Sequence, residues 1–249
     1  MSGRLERGLS RVLAPIRPAF AGVDLGSAVI AVVAAAVLVA SHYHGNTGGY
    51  FRTFGHRLSG WPFEPLYDYL YWFVSSTVLF GVVPLLAVLL MPGERLRDYG
   101  VGLGNRRLGI GVAVAFYLVM LPVVLVASRT STFAHTYPLD HDALRSPMFL
   151  LVYEIGYAMY FISWEWLFRG FLLFGMKKRI GNHAIWVTLI PFALMHTGKP
   201  ELEAYGSIVA GVALAVLALR TRSFWYGAAL HAAVACTMDV ASAFGRLHR

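Results

Sequence analysis

Glu165 and Arg169 stand four residues apart in Trp164-Glu-Trp-Leu-Phe-Arg-Gly170, within an apolar run from about Met148 to Met176. On a helix that spacing puts the carboxylate and guanidinium on one face, where each lowers the cost of burying the other. Ionisable groups inside a stretch of membrane-spanning length mark a functional site by default. Two imidazoles follow in separate apolar runs: His196 ends Phe192-Ala-Leu-Met-His196, and His231 begins His231-Ala-Ala-Val-Ala-Cys-Thr-Met-Asp239. A carboxylate can take a proton from water, and an imidazole can orient that water or donate to a developing oxyanion. One Glu, one Arg and two His converging in a bundle are the equipment for amide hydrolysis. The plainer reading of the same residues is a buried ion pair and two satisfied core histidines.

Secondary candidates lie on the same segments. Glu154 precedes Glu165 by eleven residues, and eleven helical steps of about 100° return to within roughly 20°, so the two share a face about 16 Å apart. Asp239, eight residues after His231, lies about 80° round its helix and completes a polar cluster. Lys199 and Glu203 follow His196 closely enough to line a mouth.

Composition sets the solvent for these groups. Hydrophobic residues make up 57% of the 249-residue chain and charged residues only 14%, with a mean hydropathy of +0.60, far from a soluble domain's balance. Apolar runs at about Val23–Ala40, Leu70–Met91, Leu108–Ala127, Met148–Met176, Ala184–His196, Ala204–Leu219 and Phe224–Phe244 suggest about seven spans. Backbone groups in hydrocarbon are satisfied only by helices or closed barrels. The expected fold is therefore an all-α polytopic transmembrane bundle. It forms a single integral membrane domain over residues 1–249, with a basic N-terminal segment at 1–22 and a motif-bearing core at 147–244. Pro92-Gly93, Lys199-Pro200 and the Gly48-Gly49 pair punctuate the runs.

The net charge of +8 is scattered between apolar segments rather than gathered on one face, which argues for topology and against nucleic acid. With alternating spans, thirteen of the twenty-one Lys and Arg fall on the side of Arg4, Arg95, Arg106, Lys178 and Arg222, and seven on the other. The positive-inside rule then places the N-terminus in the cytoplasm, in a plasma (inner) membrane protein.

Other features read plainly. Cys236 is the sole cysteine, so no intrachain disulfide forms. His42, His44 and His56 suit a solvated or interfacial loop, and His135, Asp140, His141 and Asp142 a hydrated one. Gly102-Leu-Gly104 is no nucleotide fingerprint, because no βαβ unit surrounds it. Gly206, Ala210 and Gly211 favour close packing of the sixth span.

Order and spacing of the motifs resemble the CPBP, or Abi, family of intramembrane proteases that includes the CAAX endopeptidases. That family's pattern runs Glu-Glu-x-x-x-Arg, Phe-x-x-x-His and His-x-x-x-Asn on successive spans. Glu165 through Arg169 match the second Glu through Arg, Phe192 and His196 match the second motif, and His231 matches the third. Trp164 stands where the family has its water-activating Glu, and Ala235 where it has the Asn. The resemblance implies a protease acting on a membrane-associated hydrophobic or lipidated peptide, with Glu165, Arg169, His196 and His231 as its catalytic set and membrane lipids as its surroundings. No cofactor is required by these residues. A zinc ion held by Glu165, His196 and His231 remains open, since zinc accepts two imidazoles and a carboxylate. Two other classes remain open as well: a catalytically silent binding or immunity protein of the same fold, and a proton-coupled transporter relaying through Glu154, Glu165 and Asp239.

Overall fold

A computed structural model describes residues 21–55 and 60–247, with side chains to Phe244. Arg4, Arg7, Arg11, Arg17, His56, Arg57 and Arg249, and the side chain of Arg246, lie outside what it describes. Helices and turns account for the described residues, and no strand occurs among them.

Five helices are long and apolar enough to cross a membrane: α1 (Leu25–Tyr43), α3 (Glu64–Leu90), α4 (Arg106–Ala127), α9 (Glu201–Thr221) and α10 (Trp225–Leu247, apolar to Phe244). Short α2 (Thr47–Thr53) and α5 (Ser131–Thr136) lie between them. Local chemistry starts several of these helices. Asp24 caps α1 by accepting from the Ser27 N–H at 2.6 Å, Asn105 caps α4, and Ser146 caps α6 (Pro147–Glu165) with Pro147 in its first turn.

The fourth apolar run, α6, continues without a break through a π-helical segment, Trp166–Phe174, into α7 (Gly175–Ile180). Every one of the nine residues of the π-helical segment is buried. The other helices enclose this segment, whereas Met148, Leu151, Ile155, Met159 and Ile162 leave one face of α6 exposed. Its polar residues keep it out of the five most apolar helices, yet its length suffices to cross. The fifth run gives α8 (Ala184–Leu194), only 11 residues, or about 16 Å at 1.5 Å per residue. By itself α8 is shorter than the roughly 30 Å hydrocarbon layer; the short helical turn at 181–183 and the turns at 195–198 extend it at either end.

Ties between ends show how the segments alternate. At one end Arg179 reaches Asp24 at 2.5 Å and Glu94 at 2.7 Å, and Lys178 reaches Glu94 at 2.6 Å. The Asn105 N–H bonds to the Thr221 carbonyl at 2.9 Å on the same end. Gly104, at φ +47°, is needed there because a Cβ would stand 1.8 Å from that carbonyl oxygen. At the opposite end Tyr71 donates to the His44 carbonyl, Tyr137 to Glu203, and the Leu139 N–H to the Tyr153 hydroxyl. Successive apolar segments thus run between the same two faces in turn.

In α9 only Gly211 does the packing expected of its small residues: a Cβ there would meet Leu189 at 2.6 Å. Gly206 and Ala210 are exposed, because they fall on the helix face turned away from α8.

Candidate functional site

Glu165 closes α6 at the start of the π-helical segment, its side chain fully enclosed. Its two oxygens face different partners. Oε2 lies 3.3 Å from Arg169 Nε, a charge contact without hydrogen-bond alignment, and Oε1 lies 2.9 Å from His231 Nδ1. Arg169 is 2% exposed; its guanidinium carbon sits 3.9 Å over the Phe192 ring and its Nη2 lies 3.5 Å from the Gly211 carbonyl. The pair is therefore held from α6, α8 and α9 at once.

Position 227 decides how closely α10 approaches. A Cβ on Gly227 would stand 3.2 Å from Glu165 Oε2, so glycine lets α10 lie against the carboxylate and sets His231, one turn on, beside it. Sequence reasoning missed Gly227. Its signal was only the four-residue step to His231, which is too general to single out.

Both histidines have their tautomer fixed. A carbonyl oxygen only accepts, so His196 Nδ1, 2.8 Å from the Phe192 carbonyl, carries the proton. His231 Nδ1 donates to the ionised Glu165 by the same logic. In the neutral form each ring then has a bare Nε2 lone pair. The rings lie nearly parallel, 11° apart with centroids 6.4 Å from each other, and His231 keeps 18% of its side chain exposed. Phe161 covers one face of His231 at 4.3 Å.

Trp164 does not share the Glu165 face, as one helical step of about 100° requires. Its ring meets His196 and His231 edge-on at 5.8 and 6.5 Å and packs against Phe80, Phe168 and Phe192. Ala235 is buried on α10. The secondary candidates gather elsewhere. Glu154 and Asp239 lie together between α6 and α10, beside Cys236. Glu203 accepts from Tyr137 at 2.5 Å, with Lys199 over the Tyr137 ring at 5.1 Å. The structure thus joins Glu165, Arg169, His196 and His231 in one site and sets Glu154, Asp239 and Glu203 apart from it.

The donor set does not suit zinc. One Glu165 oxygen is engaged by a guanidinium and the other by a protonated imidazole nitrogen. Among the described residues no group of three or more His, Cys, Asp or Glu is arranged to hold a metal ion. Of the loop features, His42 and His44 are exposed as expected. Asp140 is instead buried at 8% exposure, capping the turn at Asp142, because the 131–145 loop folds back on the bundle. Burial pushes the Asp140 carboxyl up to about 6.

Residues 145–237, which contain all four site residues, match the family model described as type II CAAX prenyl endopeptidase Rce1-like. The motif-bearing region is therefore similar to the CAAX-protease family that its spacing resembles. No curated protein and no solved structure matches the chain.

Proposed function

We propose that this membrane-embedded, CAAX-protease-related chain is an intramembrane endopeptidase that hydrolyses a peptide bond in a hydrophobic, prenylated protein or peptide. The observation that carries the reading is the buried Glu165–His231 contact at 2.9 Å within the region that matches the family model. Glu165 fixes the His231 tautomer and balances the imidazolium that forms, and Arg169 holds that carboxylate in place. His231 Nε2 takes a proton from water as the water oxygen bonds to the scissile carbonyl carbon. His196 Nε2 accepts the water's other hydrogen and orients it. As the tetrahedral intermediate collapses, the C–N bond breaks and His231 returns its proton to the leaving amine. In this tautomer neither Nε2 donates, so the histidines serve the water rather than the oxyanion. No step runs through a metal.

A silent binding protein is not favoured, because a buried carboxylate aligned on a partly exposed imidazole is a base in working order. The distribution of Lys and Arg supports an N-terminus in the cytoplasm and a plasma (inner) membrane location. The test compares new protein termini in host membranes carrying wild type with those carrying Glu165→Gln at equal expression. Termini confined to wild type are expected and identify the substrate. Identical sets, with the variant folded, would overturn the reading.

A further inference from the structure

Resting on the hydrolase reading, the site lacks one component. A tetrahedral intermediate needs a hydrogen-bond donor for its oxyanion; in the neutral rings both imidazole Nε2 atoms are acceptors, and Arg169 is 2% exposed, its Nε turned to the Glu165 carboxylate and its guanidinium stacked over Phe192. Ala235 has nothing to donate. One donor beside the two rings is uncommitted. Trp164 Nε1 is buried and has no hydrogen-bond partner, although the neighbouring indole of Trp166 gives its N–H to the Gly81 carbonyl at 3.0 Å. Buried indole N–H groups nearly always find an acceptor, and an orphan in a native fold calls for an explanation.

We infer that Trp164 is a catalytic residue whose Nε1–H receives the oxyanion of the tetrahedral intermediate. Its ring stands edge-on to both imidazoles, at 5.8 Å from His196 and 6.5 Å from His231. A carbonyl attacked by water held between those histidines lies beside this indole, placed in this assignment against Nε1–H. The aromatic wall of Phe80, Phe168 and Phe192 packs around the ring. A donor fixed in advance in such surroundings counts for most where charge develops in the transition state. The departure from a Glu at this position then becomes a change of role. Base work lies with His231 and Glu165, and position 164 supplies the donor.

The test uses purified full-length protein and an internally quenched prenylated peptide of Cys-aliphatic-aliphatic-X form. Trp164→Phe removes the N–H and keeps most of the ring. It is expected to lower kcat by about 10²- to 10³-fold, with KM within about threefold of wild type and the melting temperature retained. If Trp164→Phe fails to fold, β-(3-benzothienyl)alanine at 164, which replaces N–H with sulfur in the same shape, takes its place. 5-Fluorotryptophan, which keeps the N–H, should restore kcat. A kcat within threefold of wild type for the folded Phe or benzothienyl protein overturns the assignment, as does loss with both the benzothienyl and the fluoro residue. Glu165→Gln separates the two ideas: an inactive Glu165→Gln beside an active Trp164→Phe removes the donor alone, and the reverse removes the Glu165–His231 base. Wild type that leaves the peptide intact removes both.

Discussion

Arg169→Met leaves a carboxylate buried with no cation beside it, and the cost can be worked from the geometry. Unit charges 3.3 Å apart attract by about 5 kcal/mol at an effective dielectric of 20. Part of that gain is offset by desolvation, since the two side chains are 2% and 0% exposed. Methionine approximates the length of the arginine stem, so the loss is chiefly of charge, including the guanidinium stacked 3.9 Å over Phe192. Removing one partner of such a pair costs about 3–5 kcal/mol. At about 2–4 °C per kcal/mol for a chain of this size, the melting temperature in detergent should fall by about 6–20 °C. The double variant Glu165→Gln/Arg169→Met removes both charges and should recover most of that drop. Arg169→Met melting within about 2 °C of wild type, or a double variant no more stable than the single, would show that Arg169 does not offset the cost of burying the Glu165 carboxylate.

Other outcomes follow from the same structure. Gly227→Ala introduces a Cβ 3.2 Å from Glu165 Oε2; the shift it forces on the carboxylate should cut kcat by about tenfold or more, given the roughly hundredfold cost of a 1 Å misplacement, while the melting temperature changes little. His231→Ala should lower kcat by about 10²- to 10⁴-fold as its base is lost, and an unchanged rate in the peptide assay would refute its role. At the charged end of the bundle, burial opposes ionisation of Glu94, but hydrogen bonds from Lys178, Arg179 and Tyr99 outweigh it and hold the carboxyl down to about 2. Because that value lies below the ordinary glutamate value of 4.5, the stabilisation is fully present above about 4.5 and is lost as pH falls toward 2. Melting temperature measured against pH should decline across that window in wild type, and less steeply in Glu94→Gln.

Burial in lipid and helix periodicity made much of this legible in the sequence. Long apolar runs announce helices because a single segment in hydrocarbon can satisfy its own backbone only as a helix, and all seven runs form helices. The four-residue step from Glu165 to Arg169 was enough to pair them, and the face shared by Glu154 and Glu165 is the one that meets α10. Which residues meet between helices was decided only by tertiary packing. The Glu165–His231 bond joins residues 66 apart in sequence, and it depends on Gly227 letting two helices close. The π-helical segment after Glu165 departs from the 3.6-residue period on which a helical wheel rests. The orphan N–H of Trp164 is likewise invisible in sequence, since a missing partner is a property of surroundings. Local chemistry sets which segments are helices and which faces carry charge; contacts between distant helices set which charges meet, because each depends on side-chain volumes that no single segment contains.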